Sequence, residues 1–134
     1  MDTNDRDLIM RSLERCAERA GDIAPIVYGR WLDDDPAAAE LMRLTDEYMR
    51  GRMLEQVIEA LLDPATTDPG GYIGWEYDNH RAYGATAVMY RTFLKAFVGV
   101  VREASGNDWN GAEAAAWSSR VAAVLAAVDR RDAD

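Results

Sequence analysis

The stretch "WEYDNHRAYG" (Trp75–Gly84) holds His80, the only histidine among 134 residues. Aromatic residues surround it, and a helix-breaking glycine follows. Read as a helix, the segment 72–81 puts Ile73, Tyr77 and His80 at i, i+4 and i+7, on one face. A histidine on such a face has two ordinary uses. One is a core-edge residue hydrogen-bonded to a carbonyl. The other is a metal ligand whose remaining partners are not protein side chains. A lone imidazole suffices for the second when iron arrives inside a macrocycle, as in haem.

Outward from this segment the pattern is helical throughout. Residues 5–20 bring Ile9, Leu13, Cys16 and Ala20 to one face, and Gly21 ends the run. Asp22 can cap the next helix, over 23–33, which carries Val27, Tyr28, Trp31 and Leu32. In "DDDP", Asp35 before Pro36 predicts a cap and first-turn proline for a short helix over 36–43. Thr45 or Asp46 starts a helix running to about Leu62. "DPATTDPGG" (63–71) is a loop with two prolines and two glycines. Thr86 caps a long helix to about Ala104, and the last helix runs from about Ala112 to Arg130. No alternating strand pattern occurs. The expectation is one all-α domain spanning residues 1–134, with about seven helices.

Composition excludes several functions. The formal net charge is −9, with no basic cluster against it, so no nucleic-acid partner is expected. No apolar run approaches the roughly 18 residues a membrane helix needs, and the acidic opening "MDTNDRDLIM" lacks a signal-peptide core. With Cys16 as the single cysteine, a cytoplasmic location is expected. One His and one Cys cannot build a Cys/His zinc site, and there is no GxGxxG, phosphate loop or GxSxG. Chemistry on small molecules would therefore come from a bound group. A haem would need a large apolar slot, and Met42, Met49, Met53, Leu54, Val57, Ile73, Tyr77, Tyr83 and Tyr90 can supply one or can simply be core. Methionine suits an irregular guest.

Four stretches, in order, resemble the globin family, in particular its bacterial single-domain, flavohaemoglobin-like and sensor branches. "IVYGRWLDDDPAAAELM" (26–42) resembles the family's second and third helices, and "MRGRMLEQVIEALLD" (49–63) its distal helix. "NHRAYGATAVMY" (79–90) resembles its proximal histidine and the following corner, and "NDWNGAEAAAWSSRVAAVL" (107–125) its last helix. The resemblance implies a globin-like fold binding haem b, with His80 as proximal ligand to iron. It also implies reversible binding of a diatomic gas (O2, NO or CO), for storage, sensing or NO chemistry. Dioxygenase-type turnover of NO would need a separate reductase. Tyr28 falls where many bacterial globins place a distal hydrogen-bond donor. The distal position on the next long helix falls on Met49 or Arg50, with Met53 or Leu54 one turn on.

Departures from the family pattern generate further expectations. Met42 stands where a phenylalanine usually wedges against the porphyrin edge. Flavohaemoglobin-like members brace the proximal histidine with a tyrosine and a glutamate on the last helix; here Val121 occupies the tyrosine's place and Asp129 does not match the glutamate. No anionic brace is therefore expected. The alternative reading is a haem-free globin-fold regulatory or protein-interaction module, with Trp75 and Tyr77 filling the slot. Trp109 and the last two helices suggest a homodimer face, or local packing of the indole.

Overall fold

Helix boundaries follow the capping chemistry of the sequence. In the computed structural model, which describes residues 1–134, helix α1 (Thr3–Ala20) starts where the Asp2 carboxylate accepts from the Asp5 amide at 2.7 Å. It stops at Gly21, whose φ of 68° suits a residue without Cβ. Asp35 ends α2 (Ala24–Asp34) and caps α3 (Pro36–Met42), accepting from the Ala38 amide at 3.1 Å. Asp46, not Thr45, caps α4 (Glu47–Leu62), at 2.8 Å from the Met49 amide. A 3-10 turn (Pro64–Thr67) leads to α5 (Tyr72–Ala82). Thr86 caps α6 (Ala87–Ser105), and after a second 3-10 turn (Gly106–Asp108) Asn110 caps α7 (Gly111–Asp132). There are seven α-helices and no strand.

Helix α6 is the spine. It packs on α1, α2 and α7, and buries Phe93, Leu94, Phe97 and Val101. Edge-to-face contacts join Tyr28, Trp31 and Phe93 between α2 and α6, with Trp31 and Phe93 centroids 5.1 Å apart. The same joint carries a polar chain: the Trp31 indole donates to Thr92 Oγ1 at 2.8 Å, and Thr92 donates to Asp35 at 2.7 Å. A buried ion pair ties α1 to α7, with Arg15 Nη2 2.6 Å from Glu113 Oε2 and a further bond from Arg15 to Ser105 on α6. The consecutive helices α4 and α5 do not pack against each other in this way. α4 lies on α2, whereas α5 lies on α7 and the 64–67 turn. A cleft therefore remains between α4 and α5.

Arg120 on α7 fixes the closed end of that cleft. Its guanidinium is buried and has no carboxylate partner. Instead it donates to the carbonyls of Ala60, Leu61 and Asp63 and to the hydroxyls of Thr66 and Thr67, at 2.7–3.1 Å. These carbonyls end α4 and lack intrahelical partners, so the cation also meets the negative end of the helix dipole. The turn is tight at Gly71, where a Cβ would lie 2.8–2.9 Å from the carbonyl oxygens of Ala65, Thr66 and Asp68.

Replacing Arg120 by methionine keeps much of the apolar stem but leaves the Leu61 carbonyl without a partner and takes a charged donor from the carbonyls of Ala60 and Asp63, which keep Thr66. A buried acceptor left unpaired costs about 1–3 kcal/mol, and hydrogen bonds to a charged group are worth about 1.5–3 kcal/mol. Arg120→Met is expected to lower the urea unfolding free energy by about 3 kcal/mol or more, with an unchanged denaturant slope. Arg120→Lys is expected to recover only part of it, since one ammonium cannot reach every acceptor.

Candidate functional site

The cleft between α4 and α5 is lined by nineteen residues, sixteen of them hydrophobic. α4 contributes Met53, Gln56, Val57, Ala60 and Leu61, a stripe at i, i+3, i+4, i+7 and i+8. α5 contributes Tyr72, Ile73, Glu76 and His80. Tyr28 and Trp31 of α2, Met42 at the end of α3, and Met89, Tyr90, Phe93 and Leu94 of α6 close the back and sides. The cavity measures about 130 Å3 and is open to solvent. It is below the roughly 300–1,000 Å3 of typical small-molecule sites, so a flat macrocycle enters only by displacing flexible side chains. Met42, Met53 and Met89 are the side chains suited to that.

His80 sits in the last turn of α5, just before Gly84 breaks the chain direction with φ 105°. Its side chain is 43% exposed, so one ring edge is reachable from the cleft mouth. The Nδ1 position lies 2.9 Å from the Glu76 carbonyl oxygen and 2.9 Å from Glu76 Oε1. Two acceptors on Nδ1 fix the proton of the neutral ring there and leave Nε2 with its lone pair, the tautomer a metal ligand needs. Glu76 is itself held: the Tyr90 hydroxyl donates to both carboxylate oxygens, at 2.9 Å each. The hydrogen bond to Glu76 raises the imidazole pKa above its ordinary value, against an opposing effect of burial. Burial, then the Glu76 charge, pushes the Tyr90 hydroxyl far above the ordinary phenol range, so it stays a donor.

Tyr28 faces the cleft from α2 and is only 2% exposed. Its hydroxyl hydrogen-bonds to no protein group, although every fully enclosed side-chain polar atom in the molecule is partnered. The free hydroxyl therefore opens on the cavity. Burial holds it well above the ordinary phenol pKa, partly offset by Arg50, whose guanidinium carbon lies 5.8 Å from the ring centroid. Tyr28 is thus a neutral donor.

The cleft brings together His80, Tyr28, Met42, Met53, Val57, Ile73 and Tyr90. It leaves out four other candidates. Met49 is 49% exposed on the outer side of α4, and Tyr83 is 84% exposed at the corner after α5. Leu54 is buried in the core beside α4 rather than in the cleft. Tyr77 is buried under α7, where its hydroxyl donates to Asp132 and its ring meets Tyr90 edge-on. Tyr77 lies at the edge of the stripe 72/73, 76 and 80, about 40° round the helix from Ile73, and the packing of α5 on α7 takes it out of the cleft. Of Met49, Arg50, Met53 and Leu54 on α4, only Met53 lines the cleft. Arg50 is spent on the corner before α4, donating to Thr45 Oγ1 at 2.8 Å and to the Met42 carbonyl at 3.2 Å.

Two expectations are corrected. An anionic brace on His80 exists, supplied from Glu76 one turn earlier on the same helix; Asp129 instead pairs with Arg91 at the surface. The signal was legible as a glutamate at i−4 of the only histidine. Nor do Trp75 and Tyr77 fill the slot. Trp75 is 61% exposed and stacks outside on Tyr72, with centroids 5.8 Å apart. Gln56, a polar residue on the α4 stripe, was also missed. Trp109 packs partly against the core.

No family model and no curated protein matches the chain. Among solved structures, it is similar to a Pseudomonas aeruginosa PAO1 protein whose crystal structure is described as structurally highly homologous to a human hemoglobin. The TM-score is 0.80 at 21% sequence identity, over 95% of this chain and 97% of that one. At that identity the likeness establishes the fold, which is all-α and globin-like. No single helix is long and apolar enough to cross a membrane.

The single histidine makes the Glu76 contact measurable. In ligand-free protein, the NMR titration of His80 is expected above the ordinary imidazole value and to move down in Glu76→Gln, where burial remains but the charge is gone. The stabilisation from this contact is fully present below the unfolded-state pKa of about 6.5 and is lost as pH rises through the folded-state value. An unchanged His80 titration in Glu76→Gln would contradict the contact.

Proposed function

We propose that this chain is a single-domain, haem-binding globin that holds iron on His80 and binds a diatomic gas in the cleft. The observation that carries the reading is that one largely apolar cleft holds both His80, with Nδ1 held on Glu76, and the Tyr28 hydroxyl, which bonds to no protein group. A porphyrin would find apolar walls in Val57, Ile73, Phe93 and Leu94, and its burial is driven by the area it removes from water. Haem, when bound, would supply the coordination position at which the gas is held.

The rest is the work of this chain's own residues. His80 presents Nε2 while Glu76 and the carbonyl behind it keep the Nδ1 proton in place. Tyr90 orients the Glu76 carboxylate. Tyr28 donates a hydrogen bond to a ligand atom bearing partial negative charge, favouring O2 over a nonpolar gas. Met53 and Val57 exclude water from the distal wall. The anionic contact makes the imidazole a stronger donor, which supports redox use of the site more than passive storage. NO turnover with a separate reductase fits that preference.

Adding hemin to the purified chain is expected to give a Soret band that His80→Gly abolishes or shifts and that free imidazole restores. No band with the unmodified chain, or a band insensitive to His80, defeats the reading. Tyr28→Phe is expected to leave the hemin affinity nearly unchanged while speeding O2 release by about tenfold or more, the worth of one hydrogen bond of about 1.5 kcal/mol in an enclosed site. Stopped-flow O2 dissociation checks it.

A further inference from the structure

We infer that the Met53 thioether closes the coordination position opposite His80, so that a gas enters by displacing it. The inference rests on the proposed haem function and concerns how that site is regulated. Chain geometry supplies the first reason. The cleft stripes of α4 and α5 both begin at the closed end fixed by Arg120, at Leu61 and Tyr72 respectively. Met53 is eight residues back from Leu61 along α4, and His80 is eight residues on from Tyr72 along α5. Eight residues of helix rise about 12 Å. Met53 and His80 therefore both lie about two turns from the closed end, one on each wall of the cleft.

Elimination supplies the second reason. A group opposite His80 must carry a lone pair that iron accepts, and must not be spent elsewhere. Glu76 and Tyr90 are engaged with each other on the His80 side. Tyr28 is held as a neutral phenol, a hydrogen-bond donor rather than the phenolate that ligates iron. Met42 on α3 and Met89 on α6 are packed in the core, 5% and 7% exposed, and neither stands on the α4 wall. Gln56 offers only an amide oxygen. Met53 remains, half-buried, on an unbranched arm that reaches into the cleft or swings clear of it. Thioether opposite imidazole is a ligand pair that raises the reduction potential, opposing the lowering effect of the Glu76 contact.

The experiment uses the full chain loaded with hemin, in the unmodified form and as Met53→Leu, which keeps volume and removes sulfur. The expected result is a low-spin, six-coordinate absorption and magnetic circular dichroism spectrum with a sulfur-to-iron charge-transfer band, converted to high-spin by Met53→Leu. CO binding to the reduced protein should plateau at high CO, limited by thioether release, and should lose that plateau in Met53→Leu. Met49→Leu, on the outer side of α4 and outside the cleft, should change neither readout, and far-ultraviolet circular dichroism should show each variant folded. The inference is overturned if the unmodified chain is high-spin with CO binding linear in CO, if Met53→Leu leaves the spectrum unchanged, or if another methionine carries the band. Absence of any Soret band would overturn the haem reading and this inference together, whereas a high-spin haem protein would overturn this inference alone.

Discussion

Everything at the cleft depends on α4 and α5 being joined tightly at one end and parted at the other. Arg120 imposes that constraint from a third helix. Its guanidinium gathers the last carbonyls of α4 and the hydroxyls of the following turn, and so clamps the point where the chain reverses. A buried cation without a counter-ion is costly unless its donors are satisfied by dipoles, and here helix-end carbonyls supply them. Gly71 completes the reversal because the carbonyls crowd the space a Cβ would need. With the hinge fixed, the open ends of the two helices are held apart by what lies behind them: α2 behind α4, and α7 behind α5. The cleft is thus a consequence of packing elsewhere.

Within it, the two walls have different chemistry. The α5 wall carries a connected polar chain, from Tyr90 through Glu76 to His80, in which the imidazole meets both a carbonyl and a carboxylate of one residue. The α4 wall carries Met53, Val57 and Leu61, with Gln56 at its exposed side. A carboxylate next to imidazole strengthens nitrogen as a donor, while an apolar opposite wall keeps water from competing for whatever the nitrogen holds. That asymmetry follows from register together with the packing of α5 on α7. A glutamate four residues before the histidine falls on the same stripe, whereas Tyr77 falls under α7.

The fold was largely legible in the sequence because its signals are local. Gly21, Asp35, Asp46 and Thr86 act on neighbouring amides, and the apolar stripes of α6 and α7 are long enough to read by period. The site was legible where it lies on such a stripe, as with His80 and Val57. It was not where a side chain's direction is set by distant packing. Arg50 and Met53 differ by less than a turn, and only the corner at Thr45 shows that Arg50 is turned away from the cleft. Nothing in the sequence marks Arg120 on the last helix. Its role requires knowing that the end of α4 and the turn after it lie against α7, contacts between residues 53 to 60 positions apart. The Glu76 contact was local and readable, but attention to the last helix as the source of a brace passed over it.

The polar inventory of the cleft gives the strongest physical reason to expect an occupant. A buried hydroxyl without a partner forfeits about 1–3 kcal/mol. This molecule avoids that penalty elsewhere: even Ser12, fully buried, donates to the Ile9 carbonyl and accepts from the Trp117 indole, at 2.7 and 2.9 Å. The Tyr28 hydroxyl escapes it differently, by opening on the cleft instead of on a protein group, in a ring packed among Trp31, Phe93 and Met42. His80 shows the same pattern in a milder form, with one ring nitrogen doubly satisfied and the other left open at the cleft mouth. A buried phenol and an imidazole edge facing one largely apolar cleft give a ligand both a hydrogen-bond donor and a nitrogen lone pair.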